Sequence, residues 1–210
     1  MEIAARIGTM AENQEEAMYK ELWLSLVNGS IREIRDDAIT TINKNYLFSN
    51  LANLEHVELN NLTIIYQGNV FNECRALTSV HLPKLTGNLQ SNTFFNCSSL
   101  ISINLPLVSR VKGNSLYGCT KLETVVIPSA TLIESIAFNA DKKIKNVYAN
   151  TITAYNLMRM SGFPFTNGTF NPDMTFHCAN GEKLTYDGTQ WNISPDDANV
   201  FSSRGGVLNA

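Results

Sequence analysis

Three cysteines stand at Cys74, Cys97 and Cys119, spaced 23 and 22 residues apart, with a fourth at Cys178. Thiolates gathered by a fold can bind a soft metal or close a disulfide. His56 and His81 lie in strand-like segments of successive units, and Glu58, in the column of His81, offers with it a second pair of ligands. Two ligands make a poor metal site, however, and a surface pair of His81 and Glu58 is the simpler reading. His177 cannot serve its neighbour Cys178 as a base if both lie in a strand, because adjacent strand residues point to opposite faces. Paired carboxylates do not recur at useful spacing, and Asp36-Asp37 reads as a turn. Neither CxxC nor a Cys/His zinc spacing occurs, nor do the phosphate-loop, GxSxG and HExxH patterns. These residues point to a protein without catalysis, cofactor or metal.

The composition agrees with that reading. Of 210 residues, 44% are hydrophobic and 17% charged, with a formal net charge of −3, enough to build a real core. Sixteen Lys and Arg against nineteen Asp and Glu leave no basic face for a phosphate backbone, so nucleic acid is not an expected partner. Lys142, Lys143 and Lys145 read as a solvated edge. No run of 18 apolar residues occurs, and MEIAARIGTM lacks the apolar stretch of a signal peptide. The chain as given is therefore expected to be made in the cytosol and not inserted in a membrane. Asn outnumbers Gly by 25 to 12. Asn tolerates left-handed backbone, so many similar tight corners are expected.

The elements that position the cysteines are written in a repeat. "FNECRALTSVHLP" (71–83), "FFNCSSLISINLP" (94–106) and "LYGCTKLETVVIP" (116–128) repeat one phrase. Aligned on the cysteines, one column holds Leu51, Cys74, Cys97, Cys119 and Asp141, spaced 23, 23, 22 and 22. Further apolar columns hold Leu54, Leu77, Leu100, Leu122, Ile144 and Val57, Val80, Ile103, Val125, Val147. A bulky column precedes them: Phe48, Phe71, Phe94, Leu116 and Phe138. Ile31 and Ile34 begin a sixth, imperfect unit. A unit this short cannot bury its own apolar face, and stacking turns such faces into one core. The L-x-x-V-x-L pattern ends in the period-2 alternation of a half-buried strand, which the following Pro stops. The cysteines then lie inward on successive coils, about 5 Å apart at strand spacing. They are read as buried apolar fillers in preference to ligands.

This pattern resembles the leucine-rich repeats of the BspA-like class of bacterial surface antigens, whose unit reads roughly aF-x-x-C-x-x-L-x-x-I-x-L-P. The resemblance covers residues 31–150 and implies a β-rich solenoid of about six coils. For function it implies a scaffold.

The flanks complete the organisation. Residues 1–30 are expected to hold a helix that caps the first coil, with Asn13 as its N-cap and a stripe of Met18, Leu22 and Leu26. Trp23 adds apolar surface, so Met18, Leu22, Trp23 and Leu26 are also candidates for self-association. Residues 31–150 form the solenoid, and 151–194 a C-terminal cap with a small β unit turning at Asn180-Gly181 and Asp187-Gly188. Residues 195–210 lack periodicity and read as a tail that is flexible or ordered by a partner. This order of parts is similar to small repeat proteins encoded among phage and prophage structural genes. That likeness implies a virion-associated binding protein, whereas the surface antigens imply a cell-surface adhesion module.

A protein partner, or a surface glycan, would meet the outward residues of the strands. One ladder is Glu33, His56, Ser79, Ser102, Thr124 and Asn146. The other is Arg35, Glu58, His81, Asn104, Val126 and Tyr148, which grades from charged to apolar.

Overall fold

The alternation at the end of each unit produces a short strand, and these strands stack in parallel. The computed structural model describes residues 31–159, 171–187 and 190–195. The first row of strands is β1 (Glu33–Arg35), β3 (His56–Glu58), β5 (Ser79–His81), β7 (Ser102–Asn104), β9 (Thr124–Val126) and β11 (Asn146–Ala149). A second row follows a turn later in each unit: β2 (Thr41–Ile42), β4 (Ile64–Ile65), β6 (Gly87–Leu89), β8 (Val108–Val111) and β10 (Leu132–Ile133). Six strands in one row and five in the other make a β-solenoid of about five turns. Within each paired stretch the register is one unit per step, so Ile34 lies beside Val57 and Ile103 beside Val125.

A turn-rich third side closes each coil. Its backbone runs a ladder of its own: Phe48 N–H donates to the Val70 carbonyl (2.9 Å), Phe71 to Thr93 (2.9 Å), Phe94 to Ser115 (2.8 Å) and Leu116 to Ala137 (3.1 Å). Two left-handed residues bracket each bulky side chain on this side. One precedes it (Tyr46, Asn69, Asn92, Asn114, Ile136) and one follows (Asn50, Glu73, Asn96, Gly118, Ala140). Five of these ten are Asn, the corner role anticipated from its abundance. Between the corners, the rings of Phe48, Phe71 and Phe94 stack at 5.5 and 5.4 Å. With the Leu and Val columns they fill one continuous dry core.

Two local changes in the third unit, an added residue and a shortened loop, offset each other. The period then falls from 23 to 22 because the next unit keeps only the shorter loop. Leu62 and Ile65 are three residues apart, but Leu85 and Leu89 are four apart. The added residue forms a bulge at Gly87, whose φ of 67° suits glycine, and the pairing with β8 shifts register there. The Gln90 side chain donates to the Ile65 carbonyl at 2.9 Å, which ties the bulged strand to the coil before it. The loop that follows is one residue shorter than in the unit before, five steps from Leu89 to Phe94 against six from Ile65 to Phe71. Among the described residues, the first-row ladder is interrupted between β5 and β7. Val80 beside that gap is half-buried, whereas its column mates Val57 and Ile103 are buried.

After β11 comes a helix, α1 (Ala154–Arg159), whose first turn is capped by the Thr153 hydroxyl accepting from Asn156 N–H at 3.1 Å. The next strand, β12 (Thr175–Cys178), departs from the separate β unit expected here. It pairs in parallel with β11, Val147 beside Phe176 and Ala149 beside Cys178, and so continues the first row. Strands β13 (Glu182–Tyr186) and β14 (Trp191–Pro195) then add antiparallel, and Pro195 opposite Glu182 belongs to this sheet. The expected N-terminal helix, with Met18, Leu22, Trp23 and Leu26, lies outside the described residues, as does the tail beyond residue 195. Among the described residues no helix is long and apolar enough to cross a membrane.

Candidate protein-binding face

The first row turns the residues on either side of each inward one outward, because Ile34, Val57, Ile103, Val125 and Val147 face in and strand neighbours alternate. The register places Glu33, His56 and Ser79 in one line, with Arg35, Glu58 and His81 beside it. Beyond the β5–β7 gap, Ser102, Thr124 and Asn146 continue the first line, and Asn104, Val126 and Tyr148 the second. All twelve residues assigned to this face by the sequence thus lie on one side of one row. They differ in exposure. Glu33, Arg35, His56, Ser79, His81, Ser102 and Asn104 are exposed, while Glu58, Thr124, Val126, Asn146 and Tyr148 are half-buried.

Charge is concentrated in the first two coils. Arg35 reaches Glu33 at 2.5 Å and Glu58 at 2.9 Å, and Arg32 pairs with Glu55. Glu58 also accepts from the Asn60 amide at 3.0 Å. Both of its oxygens are thereby engaged away from His81, its cross-strand neighbour, which weakens the idea of a His81–Glu58 metal pair. Among the described residues no group of three metal-binding side chains comes together.

Two residues of this face were missed. Thr175 and His177 extend the two lines through β12. His177 stacks on Tyr148 with ring centres 4.2 Å apart and planes 8° from parallel, and its Nε2 lies 3.1 Å from Asn146 Oδ1. The signal was the match between "TFHC" and "NVYA": His177 outward and Cys178 inward, as the parity argument required.

The inward cysteines show how little reactivity the core holds. The thiols of Cys74, Cys97 and Cys119 donate to the carbonyls of Phe48, Phe71 and Phe94 at 3.1, 3.2 and 3.2 Å. Burial pushes the Cys74 thiol up to about 12, and those of Cys97 and Cys119 well above the usual range. A thiol kept protonated is a poor nucleophile and a poor ligand. Among the described residues no cysteine forms a disulfide.

Asp141 ends this column and is also fully buried. Neither carboxyl oxygen accepts a hydrogen bond. Burial raises its acid to about 9, against a downward pull from the amides of Gly118 and Cys119. Those amides are already given to the carbonyls of Asn139 and Leu116, at 3.1 and 3.4 Å, so they do not satisfy the carboxyl.

Comparison with known proteins accounts for the stack. Residues 28–155 match the family described as BspA type leucine rich repeat region, in six copies. The crystal structure of the T. pallidum leucine rich repeat protein (TpLRR) is similar in fold, with a TM-score of 0.50 and 18% sequence identity. The alignment covers 70% of this chain and 62% of that one, so the chain spans less than two thirds of that protein's length. No match was found among curated proteins. The repeat phrase, the stacked rows and the match over residues 28–155 agree: the chain belongs to the BspA-type leucine-rich repeat family.

Proposed function

We propose that this protein is a non-catalytic binding scaffold that docks a protein partner on the outward face of its first strand row. The observation that carries the reading is the contrast between the two faces of that row. The inward columns are dry and their thiols are held protonated, whereas seven residues of the outward face are exposed on paired strands. A row of short polar side chains at fixed spacing suits recognition of an extended protein surface. The finer reading is a component of a phage or prophage particle, supported by the order of parts along the chain. The resemblance to bacterial surface antigens supports the second reading, a cell-surface adhesion module. Neighbouring genes separate the two: tail and capsid genes accompany the first, export and cell-wall genes the second. Assembly through Met18, Leu22, Trp23 and Leu26 belongs to the same proposal, and sedimentation of the full chain beside Trp23→Glu tests it.

The face itself is tested with two charge variants of the full chain. Ser79→Arg with Asn104→Arg alters the proposed face, and Lys112→Glu alters the region just after β8, on the second row's side. Binding to purified particles should fall at least about tenfold for the first variant and stay unchanged for the second. Equal binding by both folded variants rejects this face, and no binding by any form rejects the particle role.

A further inference from the structure

Asp141 occupies the position that Cys74, Cys97 and Cys119 fill in the coils below, with the same local turn. The Asp141 N–H donates to the Phe138 carbonyl at 3.3 Å, as Cys97 N–H does to Phe94 at 3.2 Å and Cys119 N–H to Leu116 at 3.4 Å. In each of those coils the side chain of the column residue donates to the carbonyl of the bulky residue one coil below. Continued one step, that register puts the Leu116 carbonyl below Asp141. An ionised carboxylate cannot donate there, and an unpaired charge buried in this core would be costly. A protonated carboxyl has the one donor that the position uses. Among the described residues the site faces no compensating charge. The Cys119 thiol and the Gly118 and Cys119 amides approach from the coil below, and Lys142 and Lys143, next in sequence, are exposed.

We propose that Asp141 stands as a neutral acid donating to the Leu116 carbonyl, which makes the last coil a latch that closes with a proton. What the latch holds is β11 and everything paired beyond it. β11 begins five residues after Asp141, carries β12 in parallel, and through it β13 and β14. In a solenoid each coil touches only its neighbours, so loosening the last one loosens the terminal sheet first.

The direction with pH follows from the shift. The folded state holds the proton more tightly than the unfolded chain, where the acid has its ordinary value near 3.8. Stability is therefore full below the ordinary carboxylate range and declines as pH rises toward about 9.

The test uses the full chain with its aspartate carboxyls labelled with carbon-13, the Asp141 resonance assigned by its absence in Asp141→Asn. Asp141 should show the acid form at pH 7; an ionised signal there overturns the proposal. Denaturant unfolding between pH 5 and 8 supplies a second readout. The unfolding equilibrium constant should rise about tenfold per pH unit relative to Asp141→Cys, which restores the column's own residue. Asp141→Asn, which keeps a donor without a charge, should behave like Asp141→Cys and covers the case in which the latter does not fold. Parallel pH profiles for wild type and either folded variant overturn the proposal.

Discussion

In the coils built on Cys74 and Cys97, the left-handed corners fall on Asn69, Asn92 and Asn96, with Glu73 as the one departure. In the coil built on Asp141 they fall on Ile136 (φ 56°) and Ala140 (φ 69°). The backbone is the same in both places, and the residues that suit it are present only in the first. A β-branched residue at positive φ is strained by about 1–2 kcal/mol. The last coil therefore gathers two strained corners and one buried carboxyl, to which no group donates, within six residues. The lesson is that the stack dictates conformation even where the local sequence resists it. The coil next to the terminal sheet relies on its neighbours to hold its corners, while the middle coils carry corner residues that suit the conformation.

Three substitutions press on this comparison. The largest effect is expected in the middle of the stack, where Ile103 is packed between Val125 on one side and the half-buried Val80 on the other. Ile103→Asp would place an unpaired charge in the dry column, costing about 3–5 kcal/mol and removing the cooperative thermal transition. A melting curve within about a degree of the parent would show the column assignment to be wrong. Next comes Gly118→Ala, at a corner where φ is 75° and a new Cβ would press on Asn96 Oδ1. Asn96 is held by its amide donating to Glu73 at 2.7 Å, so it cannot turn aside freely. A loss of about 2 kcal/mol in denaturant unfolding is expected. The smallest effect should have the opposite sign: Ile136→Asn brings the middle-coil corner residue into the last coil and should add about 1 kcal/mol. A destabilised variant would mean that the half-buried Ile136 side chain contributes more than its backbone strain removes.

Much of this architecture could be read from the repeat. Leu54, Leu77 and Leu100, with Val57 and Ile103, recur at a constant spacing because each fills the same space in successive coils, and that spacing assigned the first-row strands. The outward ladders followed by parity. The second row was not assigned. Its inward residues Ile42, Ile65, Leu89, Val111 and Ile133 are spaced 23, 24, 22 and 22, and the Gly87 bulge moves them out of step with the cysteine column. The continuation through β12 was missed for a related reason: Phe176 lies 29 residues after Val147, because α1 and its neighbouring segments intervene. Asp141 was placed in the inward column, whose residues are expected to be dry, but what a carboxyl does there was not legible, since an aspartate is seldom fully buried without a partner. Only the geometry of the coils below gives it a role.

The most direct measurement of the stack is the labelling of its cysteines in the native full chain, with each site resolved by peptide mass. Cys74, Cys97, Cys119 and Cys178 are at most 1% exposed, and the first three thiols are held protonated. The inward column requires Cys74, Cys97 and Cys119 to react with a small thiol reagent at least about a hundredfold more slowly than in the denatured chain, through opening alone. Labelling of these three sites at the denatured rate, in protein that retains its fold, would contradict the column and the stack built on it.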